Sequence, residues 1–174
     1  MNKPILYILS GLPGTGKSTL AQELSKVTGF MYLRIDTVEQ GLRDLCNLKV
    51  EGEGYRLSYR VALDNLKLGT SVIADSCNPI ELTRSEWIEV AVEANADYVN
   101  IEVVCSDASE HRHRVENREP TIERLKLPTW KDIENREYHS WDTMRLVVDT
   151  AGQSVSESTH ELLTGLGIEG ESLN

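Results

Sequence analysis

The stretch Gly11-Leu12-Pro13-Gly14-Thr15-Gly16-Lys17-Ser18-Thr19 constrains this chain more than any other. It satisfies the pattern G-x-x-x-x-G-K-[ST], and the segments on either side are the ones that give the pattern its meaning. Before it, Pro4 to Ser10 is apolar almost throughout, with Ile5, Leu6, Tyr7, Ile8 and Leu9 in one run, as expected of a parallel strand covered on both faces. After it, Ser18 to Thr28 places Leu20, Leu24 and Val27 on one helical face, and Gly29 suits the residue just past a helix end. Glycines let successive backbone N–H groups turn inward around phosphate oxygens without a Cβ in the way, and the helix N-terminus adds positive potential. Gly11, Pro13, Gly14, Thr15, Gly16, Lys17, Ser18 and Thr19 are therefore the expected phosphate-binding residues. Lys17 can reach the β- and γ-phosphates of ATP, and the Ser18 hydroxyl can ligate Mg²⁺.

The rest of the chain repeats the alternation. Residues 30–35 read as a second strand, 37–46 as a helix, 52–54 as a break, and 55–68 as a longer helix closed by Gly69. Residues 71–74 form a short buried strand ending at Asp75, and 81–95 a helix with Ile88, Ala91 and Val92 at helical spacing. A strand over 98–105 leads to a charged helix over 109–118. Pro120 and Pro128 then bracket a polar connector before a helix over 129–140, a last strand over 145–149 and a closing helix over 154–166. Five strands alternating with helices predict an α/β fold, a doubly wound sheet that is mostly or wholly parallel, with ligands beyond the carboxyl ends of its strands. The Gly/Ser/Glu-rich end from Gly165 reads as a frayed tail.

The loop resembles the Walker A loop of P-loop kinases, in the GxPGxGKST form of the group that includes polynucleotide 5′-kinases, zeta-toxin-like kinases and chloramphenicol phosphotransferase. The order of strands and helices is similar to theirs through to the last helix. Within that group the sequence resembles bacterial ATP-binding proteins of unassigned substrate, through Leu127-Pro128-Thr129-Trp130 and Asp149-Thr150-Ala151. The resemblance implies a five-stranded P-loop fold over residues 1–174, a lid over 112–128, and transfer of the γ-phosphoryl of ATP, with Mg²⁺, to a hydroxyl-bearing acceptor.

Kinases that resemble this chain place an acceptor-binding carboxylate where Asp36 falls, just past the second strand. There it would accept or orient the proton of the substrate hydroxyl. Asp36-Thr37-Val38-Glu39 also has the D-x-x-E form of a helix start, so capping is an open alternative. Asp75, after Val72-Ile73-Ala74, resembles the Walker B carboxylate that holds Mg²⁺ through water; otherwise it is a strand end that turns the chain with Asn78-Pro79. Asn78 and Arg84 resemble positions near the acceptor. Arg112, Arg114 and Arg118 lie on one charged helix, with Arg114 and Arg118 four apart on a shared face and Arg112 pointing elsewhere. The resemblance makes Arg114 and Arg118 lid arginines that neutralise charge on the transferring group; a solvated face paired with Glu110, Glu116 and Glu119 is the other reading.

His111 and His113, two apart on a helix, diverge and cannot chelate one metal. His139 and His160 have no ligand partner at useful spacing and read as surface or interface residues. Trp130 and Trp141 flank the helix after the connector, where packing on the sheet competes with stacking on a base. Cys46, Cys77 and Cys105, odd in number and widely spaced, read as reduced, small buried hydrophobes. At 174 residues, with 40% hydrophobic and 26% charged, the chain suits one soluble globular domain. The N-terminal apolar run is far short of the roughly twenty residues that span a bilayer, and no small-residue cleavage site follows, so a cytoplasmic protein without membrane contact is expected.

A formal net charge of −10 disfavours stable nucleic-acid binding, while leaving room for a local basic cleft. Polynucleotide 5′-hydroxyl kinase and NTP-dependent regulatory ATPase are the alternatives to a small-molecule or nucleotide kinase. A GTPase switch lacks its N-K-x-D signature here. The residues after Asp36 do not resemble closely the acceptor motif of adenylyl-sulfate kinases. Acceptor, base preference and oligomeric state stay open.

Overall fold

A computed structural model describes residues 3–168. The apolar runs become five strands: β1 Ile5–Ser10, β2 Met31–Arg34, β3 Val72–Asp75, β4 Asp97–Val104 and β5 Leu146–Asp149. They form one sheet in the order β2-β3-β1-β4-β5, and every pairing is parallel. Seven helices connect and cover them: α1 Lys17–Thr28, α2 Ile35–Cys46, α3 Glu53–Lys67, α4 Glu81–Glu93, α5 Ala108–Asn117, α6 Trp130–Glu134 and α7 Val155–Gly165.

Strand alternation divides the core into two layers. Leu6 and Ile8 of β1 join Val72 and Ala74 of β3 on the face covered by α2, α3 and α4, with Trp87 fully buried among them. Tyr7 and Leu9 point to the other face, with Ile73, Ile101 and Val148, beneath α1 and α7. Apolar residues on both faces explain why these strands read as unbroken hydrophobic runs. Each fully buried leucine or isoleucine contributes about 1.5–3 kcal/mol by leaving water.

Several sequence expectations are corrected. Val27 is 37% exposed and Val92 69% exposed; each lies at the edge of its helix's apolar stripe, whereas Leu20, Leu24 and Ala91 are buried in the core and Ile88 packs against it. Cys46 is exposed and Cys77 half-buried, so Cys105 alone is a buried small hydrophobe. The expected helix over 129–140 is confined to Trp130–Glu134. A Thr129/Asp132 capping box starts it, but residues 136–140 are drawn onto the start of α4. There the His139 N–H donates to the Pro79 carbonyl at 2.8 Å, and the Glu81 N–H donates to His139 Nδ1 at 3.1 Å. The expected tail from Gly165 falls mostly on residues 169–174, outside the described residues; Gly165 itself closes α7.

Candidate active site

The phosphate loop joins β1 to α1 at the carboxyl edge of the sheet. Gly11 has φ +136, and a Cβ on it would lie 2.2 Å from the Val103 carbonyl oxygen; Gly14 has φ +87, and a Cβ there would lie 2.5 Å from Val115 Cγ2. No L side chain fits either position, so these glycines answer to backbone shape and close packing together. Gly16, also left-handed, is the N-cap of α1 and offers no side chain to its N–H groups. A ligand is left to satisfy them. Lys17 is buried, and its Nζ donates to the Leu12 carbonyl at 3.0 Å.

Behind the loop stands a set of struts. The buried His111 places Nε2 2.9 Å from the Pro13 carbonyl, which can only accept, so Nε2 carries the proton. The Trp130 ring meets that imidazole edge to face, with centroids 5.2 Å apart. The Thr150 hydroxyl lies 2.8 Å from the Thr15 carbonyl and 3.1 Å from that of Val104, and accepts from Arg114 Nη1 at 2.7 Å. Arg114 Nη2 reaches the Thr150 carbonyl at 2.8 Å and pairs with Glu110.

In front of the loop lies a cleft of about 940 Å³ whose lining includes Pro13, Gly14, Gly16, Lys17, Ser18 and Thr19. Asp36, Asp75, Arg114 and Arg118 line it too, so the structure gathers the sequence-derived candidates into one space. Gly11 and Thr15 of the loop are buried and do not line the cleft. Nine of the chain's 18 lysines and arginines line this cleft, against six of its 28 aspartates and glutamates. An acidic protein therefore carries a cationic cavity, the arrangement that draws in anions.

Asp36 lies in the first turn of α2, not at its cap. Ile35, 2% exposed, anchors the helix two residues earlier than the D-x-x-E pattern implies, and Arg34 is the N-cap. The capping-box reading is overturned, and the Asp36 carboxylate, about half exposed, faces the cleft 3.7 Å from Arg34 Nη2. Asp75 is buried at the end of β3; Tyr32 donates to its Oδ2 at 2.8 Å, and burial followed by the charge of Asp75 raises the Tyr32 pKa. The hard oxygen donors Ser18 and Asp75 fit Mg²⁺, which takes few protein ligands and relies on phosphates for the rest. Glu39, one turn after Asp36, also lines the cleft; burial raises its pKa although Arg43 Nη2 donates to it at 3.1 Å. Gly54 makes room for Glu39, since a Cβ there would strike its Cγ.

Asn78 and Arg84 do not line the cleft. Asn78 donates to the Leu9 carbonyl at 2.8 Å. The guanidinium of Arg84 donates to the carbonyls of Asn78, Pro79, His139 and Ser140, under the Trp141 ring at 4.0 Å. It ties residues 136–141 to α4 and is not available to an acceptor. Neither tryptophan packs on the sheet face as expected: Trp130 backs His111 and Trp141 covers Arg84. His113 turns outward to Asn117, away from His111, and His160 is exposed.

Arg118 differs from Arg114. Its Nε and Nη2 are buried with no hydrogen-bond partner, and burial lowers its pKa. Arg112 pairs with Glu116 on the outer side of α5. Residues 112–117 thus belong to a helix fastened to the phosphate loop, while 118–129 cross in front of the cleft as an irregular segment, with Thr121 accepting from Arg34 Nη1 at 2.9 Å. Sequence reasoning missed His111, Arg34 and Arg136, the last two also lining the cleft; the cationic bias of the cavity comes from dispersed residues that no local pattern marks. No described helix is long and apolar enough to cross a membrane.

Solved structures share this architecture. The Mycobacterium tuberculosis APS kinase in complex with AMPPNP and APS is similar over 96% of this chain and 99% of its own, with a TM-score of 0.70 and 19% identity. A gluconokinase from Sinorhizobium meliloti is similar over 96% and 94%, at 0.67 and 14%. The tunicamycin resistance protein of Deinococcus radiodurans is similar over 97% and 98%, at 0.62 and 14%. At such identities the likeness is one of fold, here the fold of P-loop kinases. The AAA domain family model matches residues 6–138, and this chain belongs to that family.

Proposed function

We propose that the chain is an ATP-dependent phosphotransferase that moves the γ-phosphoryl group of ATP onto a hydroxyl of a small-molecule or nucleotide acceptor. We place it in the group of polynucleotide-kinase-like, zeta-toxin-like and chloramphenicol-phosphotransferase-like enzymes, acting as one kinase domain with a lid. The observation that carries the reading is the single cleft in which a glycine-built phosphate loop with Lys17 and Ser18 faces the carboxylate of Asp36. Phosphoryl transfer asks a protein mainly for positioning and for charge neutralisation, and this cleft holds the parts for both.

The loop N–H groups and Lys17 hold the β- and γ-phosphates. The acceptor oxygen attacks the γ-phosphorus, the bond to the β–γ bridging oxygen breaks, and ADP leaves with that electron pair. The hydroxyl proton passes to Asp36, or is directed by it to solvent. Ser18 and Asp75 would hold Mg²⁺, which supplies charge neutralisation on the phosphates when bound. Arg118, which lines the cleft with Nε and Nη2 unpartnered, would neutralise the transferring group, and Arg114 keeps the loop and α5 together.

The test is incubation with ATP, Mg²⁺ and pooled hydroxylated metabolites, short oligonucleotides and aminoglycoside- or phenicol-like compounds, read by mass spectrometry. A gain of one phosphoryl group on a small molecule supports the reading. Transfer confined to oligonucleotide 5′ ends moves the chain to polynucleotide kinases, and ATP hydrolysis with no acceptor in any pool favours a regulatory ATPase.

A further inference from the structure

The cationic bias of the cleft is concentrated away from the phosphate loop as well as beside it. Arg34 ends β2, and in the order β2-β3-β1 that strand lies two places from the one bearing the loop, roughly 10 Å across the sheet. Its Nε is buried with no hydrogen-bond partner, and its nearest carboxylate contacts, 3.7 Å to Asp36 and 3.9 Å to Asp75, are too long for hydrogen bonds. Arg118 lines the same cleft with Nε and Nη2 buried and unpartnered, and the charges of Asp36, Arg34 and Arg136 are among those felt at its guanidinium. Arg136 lines the cleft and, among the described residues, forms no ion pair with a carboxylate. Three guanidinium groups thus line one cleft with two carboxylates, the half-exposed Asp36 and the buried Asp75, and three of their nitrogens are buried with no hydrogen-bond partner.

Like charges gathered around unused donors are unfavourable in the empty protein, and an oxyanion of matching geometry removes both penalties at once. The γ-phosphate belongs to the loop and Lys17. Arg34, Arg118 and Arg136 line the same cleft as Asp36, where it would meet the acceptor hydroxyl.

We propose that Arg34 and Arg136, with Arg118 between them and the phosphate loop, form an anion-binding subsite for the acceptor, so that the hydroxyl-bearing substrate carries its own phosphate, sulfate or carboxylate group. This rests on the phosphotransferase reading and narrows it to anionic acceptors. It also gives a reason for a basic cavity in a chain of net charge −10. A neutral polyol or sugar can accept hydrogen bonds from these guanidinium groups but leaves their clustered positive charge uncompensated.

The experiment is calorimetric titration of inorganic phosphate, sulfate and acetate, each at constant ionic strength, into the protein saturated with Mg²⁺ and a non-hydrolysable ATP analogue. Glycerol is the neutral control. At least one anion binds and glycerol does not, and the anion that binds best identifies the acceptor's charged group. Arg34→Ala and Arg136→Ala each weaken that binding about 10-fold or more, while affinity for the ATP analogue stays within about twofold. Arg136 is exposed, so its variant keeps the test open should Arg34→Ala fail to fold. The proposal is overturned if no anion binds the nucleotide-loaded protein, if both variants bind it as the parent does, or if they lose the ATP analogue equally, which would assign these arginines to the nucleotide. Failure of the ATP analogue to bind at all would instead remove the phosphotransferase reading beneath it.

Discussion

Packing of Val115 against Gly14 makes the phosphate loop and α5 one mechanical unit, and a pair of substitutions measures how firmly. In Gly14→Ala the new methyl sits at φ +87 and 2.5 Å from Val115 Cγ2. The left-handed backbone costs about 1–2 kcal/mol for an L residue. Overpacking adds about 1–3 kcal/mol, since Val115 is only 5% exposed and has little room to move. Val115→Ala alone removes two buried methyl groups at about 0.8 kcal/mol each, plus a cavity term. In the double variant the methyl added on the loop enters the space vacated on α5, so the overpacking and cavity terms cancel while the backbone strain stays. The double should therefore be about 1–3 kcal/mol more stable than the sum of the singles implies. Thermal unfolding of the four proteins reads this directly, at about 2–4 °C per kcal/mol for a chain of this size. Affinity for an ATP analogue should fall in Gly14→Ala and recover in part in the double. Additivity within about 0.5 kcal/mol would mean that α5 does not back the loop, and the role given to His111 would fall with it.

Lys17→Ala removes the charge that follows the γ-phosphate into the transition state, so transfer should drop by about 10²-fold or more. Its melting temperature should hardly move, because Lys17 Nζ makes one bond, to the Leu12 carbonyl; normal turnover would refute the loop assignment. Asp36→Asn should keep nucleotide affinity and lose about 10²-fold in transfer rate; equal loss of ATP binding would move Asp36 into the metal shell. Arg118→Ala should slow transfer with little loss of stability, since its Nε and Nη2 hold nothing. Arg114→Ala should lose stability as well, because it frees Thr150 and Glu110, and equal stability of the two variants would contradict the geometry. Hydrogen exchange should show residues 118–128 gaining protection when the ATP analogue binds while α5 is protected throughout; full protection of both without nucleotide would leave no moving lid.

What the sequence could and could not reveal follows from the range over which each interaction acts. The loop was legible because its requirements are local: glycines at fixed offsets, a lysine, a hydroxyl, an apolar strand before and an amphipathic helix after. Sheet class followed from runs such as Leu6 to Leu9, buried on both faces because helices cover both. Asp36 was placed in the right space, and only the capping alternative for it fails, because the D-x-x-E pattern is blind to Ile35 being pulled into the core and starting the helix two residues earlier. Arg84 was misplaced for a deeper reason. Four carbonyls engage it, two of them more than fifty residues away, and the same bonds end the helix expected to run to Ser140. His111 looked like one member of a useless metal pair, yet it donates to a loop carbonyl 98 residues distant. The two stretches that carried the family resemblance in the second half, Leu127 to Trp130 and Asp149 to Ala151, prove to supply Trp130 behind His111 and Thr150 beneath the loop. A glycine-rich loop whose N–H groups await a ligand has few internal bonds, so its shape must be held from outside. Those holding residues can come from anywhere in the chain, and only the folded arrangement shows which ones they are.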